Sequence, residues 1–184
     1  MAVLSSELPQ LGSKAIPFNL PDSISGKIQH FEKIFSGKVT VLMFICNHCP
    51  YVKYVLKEII SLANDYIPKG ARFAAISSND AVKYPEDNPE RMKELALEHH
   101  FPFPYLYDES QEIARAYYAV CTPDFYVYNN DRLLAYHGRM DGASPGNSVQ
   151  NDGNEIRKAL DEILAGKAVS KRQIPSIGCS IKWK

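Results

Sequence analysis

The chain has 184 residues, enough for one well-cored domain and short for two. Hydrophobic residues make up 45% and charged residues 23%, ordinary globular values that exclude disorder, collagen and other fibrous repeats. Lys+Arg and Asp+Glu number 21 each, so no net field draws the protein to nucleic acid or to an acidic membrane.

The opening stretch "MAVLSSELPQLGSKAIPF" carries no basic segment followed by an apolar one, and nowhere are there about 18 consecutive apolar residues. The expected setting is cytoplasmic, with no membrane partner. "SISGK" at 23–27, with Gly26 at its tip between "FNLPD" and "IQHF", predicts a small N-terminal β-hairpin. "KVTVLMFI" at 38–45 shows no polar alternation after Thr40 and reads as a central strand buried on both faces. After "CNHCP", Val52, Val55, Leu56, Ile59, Ile60, Ala63 and Ile67 recur at helical spacing. Lys53, Lys57, Glu58 and Asn64 take the other face, and "PKG" at 68–70 ends the helix. "ARFAAIS" at 71–77 is a second buried strand, so strand, helix and strand form a right-handed βαβ unit with a parallel sheet.

The loop "SSNDAVKYPEDNPE" is polar, and its part "KYPEDNPER" reads as solvated, with room for a partner contact. "PERMKELALEHH" at 89–100 starts a helix with Pro89 in its first turn, and "FPFPYLYD" at 101–108 gives a short strand at most. "ESQEIARAYYAV" predicts an amphipathic helix, "DFYVYNNDRLLAYHG" at 124–138 a hairpin about Asn129, Asn130 and Asp131, and "NEIRKALDEILAG" at 154–166 a helix closed by Gly166. There is no internal repeat and no interdomain linker. The reading is one α/β domain at 18–166, with an N-terminal extension at 1–17 and a C-terminal arm at 167–184.

Cys46 and Cys49 stand at the carboxyl end of the central strand and the start of the next helix, the edge of an open α/β sheet where sites collect. Unpaired N–H groups and the positive dipole end there stabilise a thiolate. Proline is tolerated only in a first turn, so Pro50 sets the helix start at about 47–49 or kinks the helix there. That places Cys46 exposed at the mouth with a depressed pKa and Cys49 sheltered inside the first turn. One thiol attacks a partner and the second resolves the mixed disulfide. Cys46, His48 and Cys49 also offer three zinc ligands. Structural zinc takes four, usually as a second close pair, and Cys121 and Cys179 stand far apart in sequence, so neither metal nor cofactor is expected. Four cysteines in 184 residues are too few for a disulfide scaffold. His99 and His100 read as helix-end residues, His137 as a strand-end histidine, and most of the 11 tyrosines as packing or surface.

"FNLPDSISGK", the strand into "CNHCP", "ISSND", "FPFPYLYD" and "YYAVCTPDFYVYN" resemble the redoxin, or AhpC/TSA-related, branch of the thioredoxin-fold superfamily, over about Phe18 to Gly166. The ending "GCSIKWK" resembles the tail of a group of thioredoxin-like proteins. The resemblance implies a three-layer fold, a central mixed sheet flanked by helices, and a cis-proline loop facing the redox pair, here Thr122-Pro123 on the substrate side. It implies thiol-disulfide exchange with Cys46 as nucleophile, Cys49 as resolving thiol and His48 as electrostatic tuner. The partners it implies are thiol- or disulfide-bearing proteins and an electron donor.

Two departures matter. Thr40 stands where thioredoxins carry a buried carboxylate. Whichever cysteine is aligned with that of the peroxiredoxins, Cys46 or Met43 replaces their upstream Thr. Thiol peroxidase is therefore the second reading, and a non-catalytic binding module the third. Cys121, beside the cis-proline, and Cys179, by analogy with C-terminal resolving cysteines, are candidate additional redox thiols, with packing the default for Cys121. Ile181 and Trp183 share a face in an extended strand, which predicts that the arm docks on the domain or on a second subunit with Trp183 at least partly buried.

Overall fold

The computed structural model describes residues 3–5 and 10–184; residues 1–2 and 6–9 of the expected N-terminal extension lie outside them. In chain order the elements are β1 (Val3–Ser5), β2 (Asn19–Pro21), β3 (Ile28–His30), α1 (Phe31–Ile34), β4 (Val39–Phe44), α2 (Pro50–Tyr66), β5 (Ala71–Ser77), α3 (Pro89–Glu98), β6 (Tyr105–Tyr107), α4 (Glu112–Ala116), β7 (Cys121–Thr122), β8 (Asp124–Asn129), β9 (Leu134–Gly138), α5 (Asn154–Leu164) and β10 (Ile177–Ser180).

The unbroken apolar run becomes β4, buried along its whole length. Val41 and Met43 face one layer and Leu42 and Phe44 the other, which is why the sequence shows no alternation. β4 lies at the centre of a five-stranded mixed sheet ordered β6-β5-β4-β8-β9, parallel to β5 and antiparallel to β8. Helices α2, α3 and α5 pack on the first face, α1 and α4 on the second, and β2 and β3 form the expected hairpin. In α2 the core takes Val52, Val55, Leu56, Ile59, Leu62, Ala63 and Tyr66. Ile60 and Ile67 are only half-buried. Gly70, at φ 100°, supplies the left-handed turn that leads into β5.

The helix expected across "ESQEIARAYYAV" shrinks to Glu112–Ala116. Gln111 and Tyr118 take positive φ, and the Gln111 amide donates to the carbonyls of Ser78 and Lys182 at 2.7 and 2.8 Å. Tertiary hydrogen bonds here override helix propensity. At the N-terminal side, Gly12 and Ala15 N–H donate to the Leu134 and Arg132 carbonyls at 2.8 and 2.9 Å.

The C-terminal arm docks. β10 lies antiparallel between β1 and β7, pairing Cys179 with Thr122 and Ser180 with Cys121. Ile181 is buried and Trp183 half-buried on the α1/α4 side, the Trp183 ring 4.3 Å from the Arg115 guanidinium carbon. Among the described residues no helix is long and apolar enough to cross a membrane.

Candidate redox site

All four cysteines are thiols. Cys46 lies in the turn after β4, and Cys49 is the N-cap of α2, because Pro50 occupies the first helical position. The helix therefore begins just past the expected 47–49. Across from the pair stands β7, followed by the expected cis peptide Thr122-Pro123. The Thr122 hydroxyl is 3.4 Å from Cys46 Sγ, and the Thr122 carbonyl accepts from the Cys49 thiol at 3.2 Å.

The expectation that Cys46 is exposed is overturned. Cys46 is 1% and Cys49 0% exposed, and Thr122 and Pro123 are buried as well. The chain's own β10 pairs with β7, so the surface expected to receive a substrate is covered. The two thiols contact each other and titrate together; in the form with one proton removed, Cys49 gives up its hydrogen bond to the Thr122 carbonyl and accepts one from Cys46. The Cys46 S–H turned toward it lowers the Cys49 pKa to about 5 against burial, with help from the Cys179 thiol and the Val52 N–H. That N–H faces the sulfur without closing a capping hydrogen bond. Cys46 is pushed well above the thiol range by holding its proton for Cys49, by burial and by the Asp87 carboxylate.

His48 does not act on the pair as a lone cation. Its Nδ1 is 2.6 Å from Oδ2 of Asp87, a fully buried residue, and its ring stacks on Tyr84. Asp87 Oδ1 accepts the Asn47 N–H at 2.7 Å and the His48 N–H at 3.3 Å, and Oδ2 accepts Asn79 Nδ2 at 2.7 Å. Asn47 is further held by donating to the Glu86 carbonyl at 2.8 Å and accepting from the Tyr105 hydroxyl at 3.1 Å. The hydrogen bond to Asp87 raises the His48 pKa against desolvation. Burial alone would raise the Asp87 carboxyl; the His48 and Asn79 hydrogen bonds outweigh it and hold the pKa low. "KYPEDNPER" is thus not simply a solvated loop: one of its acidic residues anchors the Asn-His dipeptide between the cysteines. Sequence reasoning missed Asp87, and the Pro89 that fixes the loop's end was the only nearby cue.

Cys46, His48 and Asp87 bring donor atoms within 4.8 Å of one another, but His48 Nδ1 and Asp87 Oδ2 are already engaged with each other. Thr40, at the carboxylate position of thioredoxins, is buried with its hydroxyl 3.4 Å from the Ile34 carbonyl. Cys121 points away from the pair, its Sγ 3.9 Å from the Ser176 carbonyl, as strand alternation requires once Thr122 faces Cys46. Cys179 does reach the site: its thiol faces Cys49 and is pushed up to about 12, by burial first and then by that contact. His137 is a buried partner of Asp124, Nε2 to Oδ1 at 2.9 Å, whereas His99 and His100 lie exposed at the end of α3.

A profile of the AhpC/TSA family matches residues 11–137. Among solved structures, an uncharacterized conserved protein from Geobacillus kaustophilus is 53% identical, with 100% of this chain and 97% of that one covered at a TM-score of 0.98. A peroxidoxin from Mycobacterium tuberculosis is 20% identical over 86% of this chain and 98% of its own, TM-score 0.63. A secreted Mycobacterium tuberculosis disulfide oxidoreductase is 17% identical over 78% and 94%, TM-score 0.61. The last two likenesses show the fold, which is thioredoxin-like. No match was found among curated proteins.

Proposed function

This chain belongs to the AhpC/TSA family of thioredoxin-fold redoxins, and on that footing we propose that it is a thiol-disulfide oxidoreductase working through Cys46 and Cys49. The observation that carries the reading is the pair itself: two thiols in mutual contact at the start of α2, both against Thr122. With β10, which otherwise covers the pair, withdrawn from β7, the Cys49 thiolate attacks a partner disulfide, one partner sulfur leaves as thiolate, and a mixed disulfide forms at Cys49. Cys46 then loses its proton and attacks Cys49 Sγ. The second partner sulfur leaves, and the product is a Cys46–Cys49 disulfide with the partner reduced by two electrons. We give the attacking role to Cys49, the N-cap residue of α2, where the sequence-based expectation gave it to Cys46. His48 and Asp87 hold the turn between the two sulfurs. The substrates are disulfide-bearing proteins, and an external thiol donor resets the pair.

Reduction of insulin disulfides tests this. In a Cys179→Ser background, either Cys46→Ser or Cys49→Ser should abolish turnover, and Cys46→Ser should accumulate mixed disulfides through Cys49. Wild-type turnover in both variants would end the proposal. A peroxidase reading has one supporting observation, the Thr122 hydroxyl at Cys46, which supplies from β7 the hydrogen bond that the upstream sequence lacks. Thiol-dependent peroxide consumption lost in Thr122→Val would favour it.

A further inference from the structure

We propose that Cys179 is a third exchanging thiol, so that oxidation comes to rest as a Cys49–Cys179 disulfide that ties the arm to α2 and frees Cys46. The inference rests on the exchange chemistry proposed above and adds a step to it.

Three placements carry it. The register of β10 sets Cys179 opposite Thr122, the residue whose hydroxyl meets Cys46 and whose carbonyl meets Cys49. The approach is made possible by Gly178. A Cβ there would stand 1.9 Å from the Thr122 carbonyl oxygen, so no other residue lets the arm lie this close. Finally, Cys179 faces Cys49 with both its thiol and its N–H, and its own sulfur faces the Tyr51 N–H while Cys49 faces that of Val52. Both sulfurs thus sit over the unpaired N–H groups of one helix turn, and once Cys49 is in a disulfide its own upward push on the Cys179 thiol is gone, leaving burial opposed by the Tyr51 N–H. A packing cysteine has no such requirement, and Cys121, turned toward Ser176, shows what one looks like here.

The step is thiol-disulfide exchange within the chain and needs no further oxidant. Starting from the Cys46–Cys49 disulfide, Cys179 gives its proton to solvent and its thiolate attacks Cys49 Sγ. The Cys46–Cys49 bond breaks, its electron pair leaves on Cys46, and Cys46 takes a proton from solvent. No electrons are gained or lost overall. Cys46 is left as a thiol in an otherwise oxidised protein, and Cys49 becomes a hub with a resolving thiol on either side.

The test is disulfide mapping of the full chain after one equivalent of diamide, acid quench and alkylation. Trypsin leaves Cys46 and Cys49 on one peptide, 39–53, and Cys179 on another, 173–182, so the two disulfides differ in mass at once. The expected wild-type product is mainly the cross-link, with Cys49 as the bridged residue and Cys46 alkylated. Cys46→Ser should keep the cross-link and Cys49→Ser should lose it. A wild-type product with Cys46 joined to Cys49 and Cys179 alkylated overturns this inference and leaves the pair's chemistry standing. Cys179→Ser is expected to give the Cys46–Cys49 disulfide. Its failure to do so would overturn the proposed pair and this step together.

Discussion

Replacing Asp87 by Asn keeps the shape of the side chain and removes its charge. Asp87 accepts four hydrogen bonds with no solvent exposure, from His48 Nδ1 at 2.6 Å, Asn47 N–H and Asn79 Nδ2 at 2.7 Å, and His48 N–H at 3.3 Å. An amide has one accepting oxygen. Whichever way it is turned, its NH2 faces two donors and orphans them, and a buried unsatisfied donor costs about 1–3 kcal/mol. Breaking a buried ion pair costs about 3–5 kcal/mol, and His48 relieves part of that by losing its proton. The expected loss is about 3 kcal/mol, or about 6–12 °C in Tm at about 2–4 °C per kcal/mol for a chain of this size. The loss depends on pH. The raised His48 pKa contributes stability that is full below its ordinary 6.5 and fades as pH rises through the folded value. The lowered Asp87 pKa contributes stability that is full above its ordinary 3.8 and fades as pH falls through the folded value. The gap between wild type and variant should therefore be widest between those two values. Urea unfolding of both reduced proteins at pH 5.5 and 8.5 measures it. A difference under about 1 kcal/mol, the scale of one ordinary hydrogen bond, or one equal at both pH values, would refute the account of the turn.

Gly178→Ala should loosen the arm, since its Cβ would meet the Thr122 carbonyl oxygen at 1.9 Å; a loss of about 1–3 kcal/mol is expected, with faster alkylation of Cys49. Unchanged stability and alkylation would mean that β10 has room to spare. Trp183 is the sole tryptophan, so wild-type emission should be blue-shifted and shielded from iodide, and Gly178→Ala should shift it toward that of a solvated indole. Fully solvated emission in the wild type would show an undocked arm. Cys121→Ser should leave the disulfide products of mild oxidation as in wild type, because Cys121 faces Ser176; loss of a product would bring it into the redox cycle.

The scaffold was legible where one local rule sufficed. The unbroken run of β4 declared a strand covered on both faces, and Pro50 and Gly70 bracketed α2. The docking of the arm followed from the shared face of Ile181 and Trp183. The length of α4 was not legible, because Gln111 is held by carbonyls of Ser78 and Lys182, 33 and 71 residues away. Asp87 fails for the same reason. Nothing local separates it from Glu86, and only the fold brings it to residues 39 and 40 positions earlier.

The choice of Cys49 as the attacking thiol differs from the sequence-based expectation, and the cue for it lies in the sequence. Proline favours the first helical position, which makes the residue before it the N-cap, and an N-cap side chain faces the N–H groups of the second and third helical residues. With Pro50 first, those are Tyr51 and Val52, and the N-cap is Cys49. Reasoning from the helix mouth alone assigned the stabilised thiolate to Cys46, three residues too early to meet these donors. The same geometry bears on the arm. Two N–H groups face outward from this turn, and the fold directs one toward Cys49 and the other toward Cys179. A helix end can hold two sulfurs when a glycine lets the second strand close, and no motif in "CNHCP" announces the second sulfur, because it arrives from 130 residues away, through the pairing of Cys179 with Thr122.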